Sequence, residues 1–479
     1  MISSPRDKQT MHSGLWDVIV IGAGSSGLPA AIFAAERGAK VLQIEADDRI
    51  GGTLHWSSGQ MAAAGTKIQK DLGIDDTPEE HYKDAQRISS GTIDPLLGKI
   101  VIDNAADTID WLMDIGFELS PDAPQTGVVH ESYKVRRYYW GVNAGISVLD
   151  AITPIYEKLV DAGKITLLKN TRFQTLLMND DKVDGIVTTD ADGQQVEFSG
   201  KNVVLASGGY AANPEMWARF NPDHPLCSFC NPFSRGDALS ATKKIGAKID
   251  GQDKYLCTFA GWREEPDNPT SGQFYRLAPV ERRSWEIYVD QCGNRLIRED
   301  HPSIDALENK LLEQPDTKMF IVCDDGILQN APPITLLPEA EFKAKFGEHP
   351  NFLKADSVKA LARQMGVNVD NLEATIKTFN DSVDAQKDPT GREFLLRKIE
   401  QAPFYAMGAH GITVASPAGL AVNENLNVIK ENGEPIENLF GAGEVLGFAR
   451  ATGNAFCGGM SLTPALTGGR LLGQKILQW

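Results

Sequence analysis

The stretch Trp16-Asp-Val-Ile-Val-Ile21 runs straight into Gly22-Ala-Gly24-Ser25-Ser26-Gly27, and no other feature restricts the possible fold as sharply. The apolar run has the continuous character of a strand buried on both faces of a parallel sheet. A helical run from Leu28 to Arg37 follows and stops at Gly38. A second apolar strand, Val41-Leu-Gln-Ile44, comes next, with Glu45 at its end. This is a complete strand–helix–strand unit of about thirty residues. Gly22 allows the tight turn, Gly24 lets the backbone approach a pyrophosphate, and Gly27 permits close packing of helix on strand. Ser25 and Ser26 open the helix, whose free N–H groups and positive dipole end suit phosphate oxygens. Glu45 can accept hydrogen bonds from a ribose diol. Pro29, just inside the helix, predicts a local distortion of the first turn.

Further glycine-rich segments repeat the theme. Gly51-Gly52-Thr53 follows Glu45 closely, and Ser58-Gly59-Gln60-Met61 comes soon after. Lys201-Asn-Val-Val-Leu-Ala206 reads as another buried strand that ends in Ser207-Gly208-Gly209. Leu439-Phe440-Gly-Ala-Gly443-Glu444 does the same near the C-terminus. Glycines at several strand ends suggest one long ligand threaded across the edge of a sheet.

Composition removes other classes. The 479 residues are 42% hydrophobic and 23% charged, which is ordinary for a globular protein and too long for one core. A net charge of −17 opposes nucleic acid and anionic membrane partners. No apolar stretch approaches the ~20 residues that span a bilayer. Met1 to Leu15 is polar and lacks the apolar centre of a secretory signal, so a cytoplasmic location is expected. Six dispersed cysteines do not make a disulfide scaffold. Cys227-Ser-Phe-Cys230 is a lone pair near a turn, and the histidines show no metal-ligand spacing, so no metal is expected.

Together these pieces resemble the flavoprotein superfamily of soluble fumarate reductases and 3-ketosteroid Δ1-dehydrogenases. The matching segments are Gly22 to Gly27, Glu45 with Gly51-Gly52, Ala206 to Pro214, Gly236-Asp237, Gly293 to Glu299, Pro403-Phe-Tyr405 and Gly441-Ala-Gly-Glu444. The resemblance implies an α/β fold with a two-part Rossmann-like FAD-binding domain, its sheet of the glutathione-reductase type, interrupted by an inserted α+β cap. Residues 1–265 and 405–479 would form the two parts and 266–404 the cap, with helical periodicity over 357–383 and a strand-rich stretch near 164–200. The same resemblance adds Phe173, Asp237, Gly459, Ser461 and Leu462 to the residues expected around FAD. Ser461-Leu-Thr-Pro-Ala-Leu466 is similar to a helix start of the ketosteroid dehydrogenases, whose N–H groups face the flavin.

Departures from the family narrow the substrate. The paired acids are present as Asp324-Asp325, but Leu328 stands where fumarate reductases carry an arginine. Val414-Ala-Ser-Pro-Ala-Gly419 lacks their histidine, and Ala455-Phe-Cys-Gly458-Gly459 replaces their Asn-Arg-Leu-Gly-Gly. These losses count against a dicarboxylate. Thr53, rather than His55, takes the position of the family's covalent anchor, so FAD is expected to be bound non-covalently.

The loop Lys134-Val-Arg136-Arg137-Tyr138-Tyr139-Trp140 matches an active-site loop of the relatives. It makes Arg137, Tyr138 and Tyr139 catalytic candidates beside Arg295, Glu299, His410 and Arg450. Removing hydrogen beside a carbonyl needs a base for the α-hydrogen and a donor that polarises the carbonyl. The expected activity is an FAD-dependent oxidoreductase desaturating a small cyclic ketone or keto acid, with an external electron acceptor. The alternatives are a soluble enoate reductase of the fumarate or urocanate type and a non-catalytic flavin-binding protein.

Overall fold

The computed structural model describes residues 14–477. The reading of the first residues as lacking a signal falls mostly on Met1 to Ser13, outside the described residues. Along the chain, β1 (Val18–Ile21), α1 (Gly27–Glu36) and β2 (Val41–Ile44) come first. Three long helices follow: α2 (Pro78–Ile88), α3 (Pro95–Asp114) and α4 (Ala144–Asp161). Then come β3 (Ile165–Leu168), β4 (Arg172–Asn179), β5 (Lys182–Thr189), β6 (Gln195–Ser199) and β7 (Val203–Leu205).

A second set of strands begins with β8 (Thr258–Arg263), β9 (Gly272–Phe274) and β10 (Ile287–Val289). It continues through α5 (Ile304–Leu312), β11 (Lys318–Asp324), β12 (Phe352–Ala355), α6 (Val358–Met365), α7 (Val369–Ala385) and β13 (Phe404–Ile412). The chain closes with β14 (Asn427–Ile429), β15 (Pro435–Gly441) and α8 (Leu462–Lys475).

The first sheet is nine-stranded in the order β3-β2-β1-β7-β15-β5-β4, with β14 on β15 and β6 on β5. The β3-β2-β1-β7-β15 run is parallel, as continuous apolar strands such as Val18–Ile21 require. β1 and β2 are buried at every residue. The helix α8 lies against α1 at very short range. A Cβ on Gly469 would stand 2.0 Å from the Ser26 carbonyl oxygen and one on Gly473 2.6 Å from that of Ala30. Pro29 causes no break. α1 starts at Gly27, so the proline falls in the first turn, where an amide has no intrahelical partner to lose.

The second sheet is six-stranded and antiparallel, ordered β9-β8-β13-β11-β10 with β12 on β13. It spans Thr258 to Ile412, wider than the expected 266–404, because the incoming β8 pairs with the outgoing β13 at Thr258 and Ile412. Each sheet has its own core, around Ile19, Leu28, Val203 and Leu466 in one and Trp262, Tyr288, Ile321 and Met407 in the other. The periodicity over 357–383 resolves into two helices rather than one. Gly366 (φ +70°) ends α6, and the Asn368 side chain accepts from the Asn371 amide to start α7.

Candidate functional site

The carboxyl ends of β1, β2 and β7 meet in one cleft, the position at which open parallel sheets bind ligands. Gly22, Gly24, Ser25, Ser26, Glu45, Gly52 and Thr53 line it from one side. Phe173, Ala206, Ser207, Gly208, Asp237 and Glu444 line it from the other. The glycines divide by function. A Cβ on Gly22 (φ +102°) would lie 2.4 Å from the Ala206 carbonyl oxygen, and one on Gly27 would lie 2.0 Å from that of Gly22. Those two serve strand and helix packing. A Cβ on Gly24 would meet nothing nearer than Gly52 Cα at 3.8 Å, so the space above Gly24 belongs to a ligand.

The cleft is polar where phosphates and ribose require it. Ser26 makes no side-chain cap to α1, leaving the helix end open. The Ser207 hydroxyl is buried without a hydrogen-bond partner among the described residues. Glu45 accepts from the Ala23 amide at 2.7 Å and the Asp47 amide at 2.9 Å, which fixes its carboxylate at the end of β2. Burial pushes its pKa up, against the pull of these amides, and burial does the same to Glu444. Glu444 accepts from the Ser416 amide at 2.8 Å. Asp237 is held by Arg172 through two 2.8 Å bonds. The open Gly24 space, the uncapped helix and the orphaned Ser207 hydroxyl fit the pyrophosphate half of FAD.

Other expected residues shape a second zone. Gly51 (φ +111°) turns the chain and donates to the Ala23 carbonyl, while the His55 ring bonds the Ile50 carbonyl at 2.9 Å and does not line the cleft. Ser58, Gly59 and Gln60 lead into Met61–Ala62, which pairs with Tyr138–Tyr139. Gly459 (φ +76°) presses on the Met61 carbonyl carbon, where a Cβ would be 2.2 Å away. Ser461 and Leu462 open α8 beside it, and Thr463 Oγ1 accepts from the Ala62 amide. Gly443 (φ +81°) abuts Ser26. Thus the glycine loop, the tyrosine ribbon and the start of α8 meet at one place.

Most charged candidates are tied to neighbours. Arg137 is fully buried and bonded to Asp76 at 2.6 Å and Asp84 at 2.8 Å. Arg450 is held by Asp94 at 2.6 Å and the Leu420 carbonyl at 2.7 Å. Arg295 and Glu299 sit in the second sheet's core in a network with Asp388 and Arg392. His410, on β13, has its pKa lowered to about 4 by burial and by the charges of Arg263 and Lys318. Tyr139 shares a 2.8 Å hydrogen bond with Thr66. Tyr138 differs from all of these. It is 4% exposed, its ring stands against Gly458, and its hydroxyl has no hydrogen-bond partner among the described residues. Burial pushes its pKa well above the ordinary phenol value, so the proton stays on.

Thr171, Asn231, Phe233 and Ser234 also line the cleft and were not anticipated. Thr171 carries a readable cue, since it directly precedes the strand of Phe173 and donates its amide to the Glu45 carbonyl. The loop 231–234 carries none. The Cys227 and Cys230 thiols are free, and burial pushes them up to about 11 and about 12, which removes thiolate reactivity near neutral pH.

Fold and cleft define an FAD-dependent oxidoreductase. The chain belongs to the FAD binding domain family, whose model matches residues 17–462. It is 29% identical over 463 residues to the probable fumarate reductase Ifc3 of Shewanella frigidimarina (strain NCIMB 400), covering 96% of this chain and 74% of that one. It is 26% identical over 456 residues to the vinyl phenol reductase of Lactiplantibacillus plantarum (strain ATCC BAA-793 / NCIMB 8826 / WCFS1), covering 89% of each. The open conformation of a flavocytochrome c3 fumarate reductase superposes with a TM-score of 0.72 at 26% identity, over 100% of this chain and 81% of that one. Among the described residues no helix is long and apolar enough to cross a membrane.

Proposed function

We propose that the protein moves a hydrogen pair across a C–C bond next to a carbonyl, desaturating a small cyclic ketone or keto acid. FAD, when bound, supplies the site that accepts or returns the hydride. In this reading the first sheet forms a two-part FAD-binding domain, the second sheet is a cap closing over the ring, and the FAD is held without a covalent bond.

The observation that carries the proposal is the unpartnered hydroxyl of Tyr138, whose ring stands beside Gly458. A phenol held neutral is a donor, suited to a carbonyl oxygen that gains negative charge as hydrogen leaves the neighbouring carbon. The arginines that could grip two carboxylates are occupied: Arg450 by Asp94 and Arg137 by Asp76 and Asp84. That supports a ketone or mono-acid over a dicarboxylate. The reverse direction, reduction of an enoate or a conjugated alkene, is favoured by one specific finding, the likeness to reductases of fumarate and vinyl phenol.

The test follows the flavin absorbance anaerobically. Saturated cyclic ketones and keto acids are expected to bleach it. If only unsaturated partners act, by reoxidising dithionite-reduced enzyme, the direction is reductive. Tyr138→Phe is expected to lower kcat by about 10²–10⁴-fold with FAD retained. Full activity in that variant would remove Tyr138 from the mechanism.

A further inference from the structure

We propose that His130, Asp305 and Glu308 form a divalent-cation site that clasps the cap to the loop leading into Tyr138. The imidazole comes from that loop, eight residues before Tyr138. The two carboxylates stand three residues apart on α5 of the cap and so share one face of the helix. One ligating atom from each residue lies within 4.8 Å of the other two. His130 Nδ1 is 3.1 Å from Asp305 Oδ1 and 3.7 Å from Glu308 Oε2. Ligands about 2.0–2.2 Å from a small ion are separated by roughly 3.0–3.5 Å around a tetrahedron or octahedron. The triad is near that size before any ion enters.

The groups are aimed by contacts made elsewhere on the same side chains. Asp305 Oδ2 accepts from the Glu131 amide at 2.7 Å, which turns Oδ1 to the imidazole. Glu308 Oε1 accepts from the Phe259 amide at 3.2 Å. The His130 ring stacks on Phe456, with centroids 4.6 Å apart and planes at 25°. Second-layer restraints of this kind hold metal ligands in place.

A separate observation points to a missing cation. The Glu308 side chain is 7% exposed, yet its Oε2 accepts no hydrogen bond among the described residues. No lysine or arginine among the described residues forms an ion pair with either carboxylate. Two largely buried acids therefore share one imidazole. A carboxyl buried without a counter-charge either keeps its proton or pairs with a cation, and a divalent ion held by the neighbouring imidazole and carboxylate fills the second role. One nitrogen with carboxylate oxygens suits Mn²⁺ or Zn²⁺ better than Mg²⁺ or Ca²⁺, which prefer oxygen-only ligand sets.

The site is independent of the substrate. Its consequence is mechanical, because the ligands come from both sides of the seam and Phe456 belongs to the same loop as Gly458 and Gly459. An ion there would tie the cap's position to the wall that carries Tyr138. The test uses holoenzyme stripped with EDTA and titrated with Mn²⁺, followed by loss of the free-ion EPR signal. One equivalent is expected to bind. Asp305→Asn and the isosteric Glu308→Gln are each expected to weaken binding by about tenfold or more, with the flavin spectrum and the melting temperature in EDTA unchanged. His130→Ala should weaken binding at least as much, with a lower melting temperature in EDTA because the ring also stacks on Phe456. No binding up to roughly 1 mM, or equal binding in the variants, overturns the site and leaves a hydrogen-bonded latch.

Discussion

The two sheets solve the problem of polar groups in opposite ways. The parallel sheet keeps its strands largely apolar, Gln43 aside, and places its chemistry at their carboxyl ends, where glycines and amides face an open cleft. The antiparallel sheet carries charge inside its core. Arg282 is paired with Glu286 at 2.7 Å, and Arg295 with Glu299 at 2.6 Å. Arg392 reaches Glu299 at 2.9 Å and the carbonyls of Ser284 and Glu286. The first arrangement makes room for a ligand, and the second pins the sheet's loops to one another. A charge buried in a core therefore does not by itself mark a reactive site here, since each of these is spent on a partner.

The sharpest break of this comparison lies within a single motif. Gly27→Val would force side-chain atoms into the Gly22 carbonyl, so the variant is expected to be insoluble or unfolded. Gly24→Val meets no protein atom closer than 3.8 Å from its Cβ, so the fold should survive while the branch fills the cleft. Its apoprotein should melt normally and bind FAD about 100-fold more weakly or worse, a loss of roughly 3 kcal/mol. Flavin titration of the refolded apoprotein measures this.

In the antiparallel sheet the next largest effect is expected. Glu299→Gln leaves Arg295 and Arg392 without their shared counter-charge and should cost about 3–5 kcal/mol in urea unfolding. FAD affinity should hold. If it falls as far as in Gly24→Val, the two regions are not separable.

A pH series sharpens the contrast, because each region holds a histidine whose pKa burial lowers strongly. Burial, with the charge of Arg137, takes His81 to about 3, and His410 goes to about 4. An unfolded histidine titrates near about 6.5, so between that pH and about 4 the unfolded chain binds more protons. Stability should be fully present above about pH 6.5 and fall as the pH drops through this window. His81→Phe and His410→Gln should each flatten the dependence by a similar amount, because both folded values lie below pH 4.5. Melting temperatures from pH 7 to 4.5 check it. Smallest of all, Lys377→Ala removes an ion pair with Asp381 that lies in solvent, and no measurable change is expected.

The parts of the molecule that could be read from its sequence are those built from neighbours along the chain. Gly22 to Gly27 with Glu45, and Ala206 to Gly208, carry their roles in spacing, and most of them line one cleft. The split between α6 and α7 was also written locally, in Gly366 and Asn368, although apolar periodicity alone ran across it. The fate of the arginines was not written there. Arg450 meets an aspartate 356 positions away and Arg137 one 53 positions away, so nothing near either residue announces a structural partner. The same reasoning explains why a histidine and two carboxylates from distant segments show no metal-like spacing in the sequence. Asn231, Phe233 and Ser234 enter the cleft from a loop with no repeating pattern to read.

The position of β15 also has a consequence for biosynthesis. This strand, Pro435–Gly441, is the link between Val203–Leu205 and the Lys182 end of β5, yet it is translated after every other strand of both sheets. A nascent chain can complete the antiparallel sheet once Ile412 has emerged, while the parallel sheet still lacks its centre. Until then Val203–Leu205 presents an unpaired apolar edge, the kind of surface that recruits strands from other chains. Ribosomes stalled before residue 435 would thus release a product with a finished antiparallel sheet and an adhesive remainder, and the last segment to be made closes the parallel sheet.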